Sequence, residues 1–293
     1  MSQPRKYVTA YSGLLVLSVI WGLAFVAIRQ ADTELSPVNL ALLRWFVACI
    51  PFLALFPIIG RPKTRIEARD VPRLLLVALA NVAGYHLSLN SAETTLSAGL
   101  SGLLISFGPI FVVVLSYLLL NEKAGRRVLL GLILAIGGTV VLSIGSVGAN
   151  DLSSFEGIAE ALVAAFSYAL FAVLAKPLVH KYGSAPTTIM AGLLGTLMIL
   201  PLFSNSFVTQ VSSLSPVGWA SVLYLSLLST VFGYLLFYTL VSRGAVSRLS
   251  IQLYLAPVVS VIGGVFLLNE PFTLSVLAGG GLVLAAVAIS TWK

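Results

Sequence analysis

The sequence predicts an all-α polytopic membrane protein with ten transmembrane helices arranged as two inverted five-helix repeats. Three observations predict it. Charged residues make up only 9% of the 293, the apolar residues gather into ten long runs, and the second half of the chain repeats the first.

Composition excludes most other classes. A typical soluble domain is about 25% charged, whereas this chain has 17 basic and 10 acidic residues, is 58% hydrophobic and has a mean hydropathy of +1.03. That is too little charge for a soluble surface, and too much apolar mass for a disordered chain. The one cysteine, Cys49, excludes a disulfide framework or thiolate cluster, and His86 and His180 are too few for a histidine metal site. No metal and no cofactor is expected.

A spanning helix needs about 20 predominantly apolar residues. The runs cover 7–28, 37–59, 72–92, 96–120, 127–146, 155–176, 185–203, 216–241, 245–268 and 273–292. They are continuous and lack the period-two alternation of a barrel. The first is too long for a signal peptide and no small-residue cleavage site follows it. Orientation follows from the basic residues, which favour the cytoplasmic side. With the N-terminus inside, the inner segments collect fifteen of the seventeen, including Arg61, Lys63, Arg65, Arg69 and Arg73. Arg29 falls outside with Asp32, Glu34, Glu93 and Glu270, and Arg44 lies within a span. Both termini are therefore expected in the cytoplasm, in the inner (plasma) membrane. The charge of +7 reflects topology, and nucleic acid is not an expected partner.

The repeat comes from self-comparison. Leu119-Leu120-Asn121-Glu122 recurs as Leu267-Leu268-Asn269-Glu270, and Pro109 as Pro257, each 148 positions later. Gly84-Tyr85 matches Gly233-Tyr234 and Pro37 matches Pro186, both at 149. The halves are taken as 1–148 and 149–293. Five spans is an odd number, so the second copy crosses in the opposite sense. Inverted repeats are the architecture of secondary transporters, because two near-equivalent halves can open to either side by exchanging conformations.

Several stretches resemble one family. Ile20 to Arg29, reading IWGLAFVAIR, is similar to the first-helix motif of EamA-type transporters in the drug/metabolite transporter superfamily. Leu43-Arg44-Trp45-Phe46 resembles that family's arginine–aromatic step, and Asn269 to Thr273 followed by Gly279-Gly280-Gly281 resembles the end of its second repeat. The likeness is greatest to the aromatic amino acid exporters of bacterial inner membranes. It implies a central cavity between the repeats and efflux of amino acids or small metabolites.

Polar and aromatic residues deep in spans are the candidates for the cavity, because placing them in lipid costs free energy. Trp21 lies near the middle of span one. In span three, Asn81, Tyr85 and Ser88 share a face by helical spacing, with His86 and Asn90 on the adjacent face. Tyr168 and Phe171 neighbour each other in span six, Tyr234 and Tyr238 in span eight, and Gln252 precedes the proline of span nine. Ser101 in span four completes the set. Aromatic walls with a few amides and hydroxyls suit an apolar or aromatic zwitterion. Tyr7, Tyr11, Trp219 and Trp292, near span ends, fit interfacial anchors instead. Pro109 and Pro257 sit mid-span, where a lost backbone donor loosens a helix; each is either a hinge beside the cavity or a packing kink.

Arg44 must reach the cavity, free carbonyls near Pro51, or the outer interface. Glu160 and Glu93 lie too near the span ends to serve a proton-coupled drug antiporter. A sugar-phosphate or nucleotide-sugar carrier needs several cavity cations, and Arg44 stands alone. An integral membrane enzyme is disfavoured because no HExxH, GxSxG, Walker A or CxxC motif occurs. A small-molecule substrate, the lipid bilayer and a monomeric state are the expected partners and assembly.

Overall fold

The computed structural model describes residues 3–120, 152–242 and 249–291, with scattered positions between 130 and 141. Every regular element among the described residues is helical. The chain opens with α1 (Gln3–Ala31) and α2 (Pro37–Ile59). The third apolar run is one composite rod of α3 (Val71–Ala78), a π-helical stretch Leu79–Leu87, and α4 (Ser88–Thr95). The fourth run divides into α5 (Ala98–Ile105) and α6 (Gly108–Leu120). Then come α7 (Leu152–Tyr182), α8 (Ser184–Ile199) and a short connecting helix α9 (Asn205–Ser212). The eighth run is again composite, with α10 (Pro216–Leu223), a second π-helical stretch Tyr224–Phe232, and α11 (Gly233–Ser242). Two helices follow, α12 (Leu249–Leu268) and α13 (Leu274–Thr291).

Seven helical stretches are long and apolar enough to cross a membrane, and they coincide with the first four, the sixth, the seventh and the eighth apolar runs. Ala256–Leu268 and Leu274–Ala286 are shorter apolar helices within the ninth and tenth runs. The fifth run lies largely outside the described residues.

Burial is arranged for lipid. Ile58, Phe266 and Leu274 are 76%, 78% and 79% exposed, while His86, Asn90 and Glu93 are fully buried. Water would favour the reverse, so the polar residues face inward because the surroundings are apolar.

Helix ends and loops gather at two ends of the bundle. At one end, serines begin three spans: Ser36 Oγ accepts from the Asn39 amide, Ser97 Oγ from that of Leu100, and Ser215 Oγ from that of Gly218. Arg29 donates to the carbonyls of Glu93 and Thr94. The Glu34 carboxylate accepts from the amide and hydroxyl of Ser215 at 2.7 and 2.6 Å, which holds its pKa below the ordinary glutamate value. Beside it, burial raises Asp32 to about 8 against the pull of Arg29. Glu270 bridges to the start of α5, accepting from the amides of Ala98 and Gly99 at 2.7 and 3.2 Å. At the other end, Lys181 meets Glu67 and Asp70 at 2.6 Å each, and Tyr182 donates to Asp70. There α7 turns into α8 through Gly183 alone, whose φ of +103° is open to glycine and costly for other residues.

The two mid-span prolines differ. The fourth span is interrupted at Ser106 and Phe107, whose amides bond three residues back to Leu103 and Leu104, and Pro109 falls in the first turn of the helix that restarts. In the ninth span α12 runs through Pro257 without interruption. Small residues let α12 approach its neighbours. A β-carbon on Gly22 would lie 2.7 Å from the Ala256 carbonyl, and one on Gly102 would lie 2.6 Å from Ser260 Oγ.

Candidate functional site

Trp21 organises the centre of the bundle. Its indole N–H donates to the Ser229 carbonyl at 3.0 Å, and Tyr224 returns a bond to the Ile20 carbonyl at 2.9 Å. Ser229 lies in the π-helical stretch Tyr224–Phe232, where the wider turn shifts carbonyls out of the α-helical ladder and makes one available to a side chain. Gly233 is required beside it, because a β-carbon there would sit 2.6 Å from Trp21 Nε1.

Around Trp21 the rings form one continuous cluster. Tyr234 and Phe237 lie 5.5 and 5.3 Å from it, and Tyr168 stands edge-on at 6.4 Å. Tyr168 continues to Tyr85 and Phe171 at 6.1 and 5.1 Å. His86 joins through Tyr85 at 5.0 Å and Trp45 at 5.2 Å. Tyr238 completes the cluster, 6.5 Å from Tyr234. Such aromatic pairs contribute about 0.5–1.5 kcal/mol each beyond the area they bury, so ring packing adds to burial in holding the cluster together.

Two small adjoining cavities open inside this cluster. One, of about 20 Å³, is bounded by Trp21, Arg44, Tyr85, Tyr168, Ser229 and Tyr234, among others. The other, of about 30 Å³, shares Trp21, Tyr85 and Tyr168 and reaches Ser106 and Pro257. It therefore abuts both the break in the fourth span and the proline of the ninth. A cavity of this size holds one or two water molecules, so a larger ligand requires the wall to part.

The expected residues are distributed as follows. Trp21, Tyr85, Tyr168 and Tyr234 line the first cavity, with His86, Phe171 and Tyr238 in ring contact behind them. Asn81 and Ser101 are buried but border neither cavity. Pro257 lines the second cavity. The side chains of Gln252 and Pro109 lie outside the described residues. Spans one, three, four, six, eight and nine contribute lining residues, and span two joins them through Arg44.

Sequence reasoning left Arg44 between three positions and did not single out Trp45, Ser229, Thr230 or Phe237. The structure places Arg44 in the cavity wall at 3% exposure, with its head group turned into the bundle toward the eighth span. Nε donates to Thr230 Oγ1 at 2.7 Å and Nη2 to Ser229 Oγ at 3.1 Å. The adjacent hydroxyls of Ser229 and Thr230, deep in an apolar run, were the available signal. Glu160 accepts a 2.6 Å bond from Ser91 Oγ, away from the rings. Several buried polar atoms have no hydrogen-bond partner among the described residues, including both His86 nitrogens, Trp45 Nε1, Asn81 Oδ1, Ser101 Oγ and Tyr238 Oη. Buried groups of this kind require a partner, and a polar ligand or water admitted to the bundle is one. No group of His, Cys, Asp or Glu among the described residues is placed to hold a metal.

The EamA-like transporter family matches twice, over residues 8–144 and 155–292. A protein of Archaeoglobus fulgidus named an uncharacterized transporter is 36% identical over 281 residues, covering 96% of this chain and 98% of the relative. A protein of Streptantibioticus cattleyicolor named a probable terminal-alkyne amino-acid exporter is 30% identical, covering 94% and 91%. One solved crystal structure superposes with a TM-score of 0.65 over 96% of each chain at 18% identity, which shows a shared fold. With two family matches spanning nearly its whole length, a helical membrane bundle and a cavity at its centre, this chain belongs to the EamA-like transporter family.

Proposed function

We propose that this protein is a secondary transporter that exports neutral, chiefly aromatic, amino acids or similar small metabolites by alternating access through the ring-lined cavity. It acts as a monomer of ten spans in the inner (plasma) membrane. Residues 1–148 and 149–293 form the two inverted repeats, and both termini lie in the cytoplasm. The observation that carries the reading is the cluster of rings from spans one, two, three, six and eight around one cavity that holds an arginine. Rings accept an apolar side chain, while the hydroxyls and the guanidinium accept polar ends, the combination a zwitterion needs.

Supporting the orientation, Arg61, Lys63, Arg65, Arg69 and Lys181 cluster toward the end where α7 meets α8, and basic ends face the cytoplasm. Supporting the repeat, π-helical stretches occur in the third span of each half. The break before Pro109 and the proline at 257 supply hinges, since alternating access needs arrangements that differ by only a few kcal/mol. The relative named an amino-acid exporter supports the substrate class.

The test is uptake by purified protein in liposomes of labelled phenylalanine, tryptophan, leucine, lysine and glutamate, with and without an imposed pH gradient. Faster movement of the aromatic and neutral members than of the charged ones supports the reading. Equal background rates for all five would refute it.

A further inference from the structure

We propose that Arg44 is a substrate-binding residue that receives the carboxylate of the transported molecule. The substrate class is then a small monocarboxylate carrying an apolar or aromatic group. This inference rests on the transport reading above and deepens it.

The guanidinium is charged at any accessible pH. Here it is buried in the bundle, and among the described residues no carboxylate comes within 4.0 Å of its nitrogens. Glu93, the fully buried acid of the third span, also lies beyond that distance. Buried arginines are ordinarily paired with an anion, because burying the charge alone is costly. The partners present are neutral. Thr230 takes Nε and Ser229 takes Nη2, so the hydroxyls occupy two of the five donors and fix the plane of the group. They orient the charge without neutralising it. A planar fork held in this way is built to accept a carboxylate, and the restraint lowers the entropy that binding would otherwise lose.

The surroundings decide which anion. Among the described residues, the other lining side chains of the cavity are aromatic, aliphatic or hydroxylic, and Arg44 is the one cation. A single positive charge offsets a carboxylate. A phosphate monoester, with nearly two negative charges, would leave one uncompensated in an apolar wall. The rings of Trp21, Tyr85, Tyr168 and Tyr234 face the same space and supply faces for an ammonium group or for an aromatic side chain.

The test is competition in counterflow of labelled phenylalanine by the full-length protein in liposomes. Unlabelled phenylalanine, phenylalaninamide, phenethylamine, phenylpropionate and phenyl phosphate are compared. Phenylalanine and phenylpropionate should compete best, and loss of the carboxylate should weaken competition roughly 10- to 100-fold. Phenyl phosphate should be weak. In R44Q the difference between the acid and its amide should vanish, with KM for phenylalanine raised; R44K should recover part of it. If the amide and the amine compete as well as the acid, Arg44 is not the anchor, and the transport reading stands. Retention of full discrimination by R44Q has the same consequence. Strong competition by phenyl phosphate would contradict the monocarboxylate class. If the parent exchanges no amino acid, the functional reading fails and takes this inference with it. Should the Arg44 variants not fold, the competition series on the parent decides alone.

Discussion

Arg44 on the second span and Thr230 on the eighth are joined by a 2.7 Å hydrogen bond from Nε to Oγ1. Because each lies in a different half of the chain, this bond couples the two repeats at the cavity wall. Removing its acceptor while keeping volume, as in Thr230→Val, leaves the guanidinium held by Ser229 alone. A buried hydrogen bond to a charged group is worth about 1.5–3 kcal/mol. The variant should lower the melting temperature in detergent and raise KM, and unchanged values of both would remove Thr230 from the site.

Gly233 and Trp21 make a second such test. A β-carbon at position 233 would lie 2.6 Å from the indole nitrogen, so Gly233→Ala must displace the ring from the Ser229 carbonyl. Overpacking of this kind costs about 1–3 kcal/mol. The expected outcome is a shifted tryptophan emission and slowed transport from protein that still purifies as a single species.

Glu270, in the link between α12 and α13, holds the start of α5 by accepting from two of its amides. Replacing it with alanine leaves those donors to water and should cost about 2 kcal/mol. A cysteine introduced near Gly99 should label faster from outside intact cells in Glu270→Ala than in the parent. Equal labelling would mean that the contact is only a cap.

Asp32 makes stability depend on pH. Burial raises its pKa from 3.8 to about 8, so between those values the folded state binds the proton that the unfolded chain has released. Its contribution is therefore fully present below the unfolded value and is lost as pH rises through about 8. The slope approaches about 1.4 kcal/mol per pH unit. Thermal unfolding in detergent from about pH 5 to pH 9 should fall with rising pH in the parent and flatten in Asp32→Asn.

The prolines separate by context. Since the fourth span is already interrupted at Ser106–Phe107 and α12 continues through Pro257, the first-repeat site is the looser of the two. Pro109→Ala should slow transport more than Pro257→Ala, with cavity accessibility biased to one side. Parent rates in both would make them packing kinks.

Much of this arrangement was legible before the structure. Hydropathy located the helical runs because lipid enforces that rule without regard to detail, and deep aromatic residues such as Trp21 and Tyr168 were marked by their cost in lipid. What spacing could not place was a side chain whose direction depends on a local change of helix type. On an α-helical period, His86 belongs to the face beside Tyr85, and Asn81 to the same face as Tyr85. In the π-helical stretch Leu79–Leu87 the turn is wider: His86 meets Tyr85 within one ring cluster, and Asn81 borders neither cavity. Arg44 was ambiguous for another reason. Its partners, Ser229 and Thr230, are 185 and 186 residues away, and only packing of the second span against the eighth brings them together.

Counterflow of labelled phenylalanine tests the central claim, that the ring-lined cavity is the transport path, most directly. Parent protein, Trp21→Ala and Tyr234→Ala would be compared in liposomes at matched protein content, with monodispersity in detergent as the folding control. The account predicts exchange by the parent and a loss of roughly tenfold or more in both variants, equivalent to about 1.4 kcal/mol or more of transition-state stabilisation. Exchange at the parent rate in both variants would contradict it.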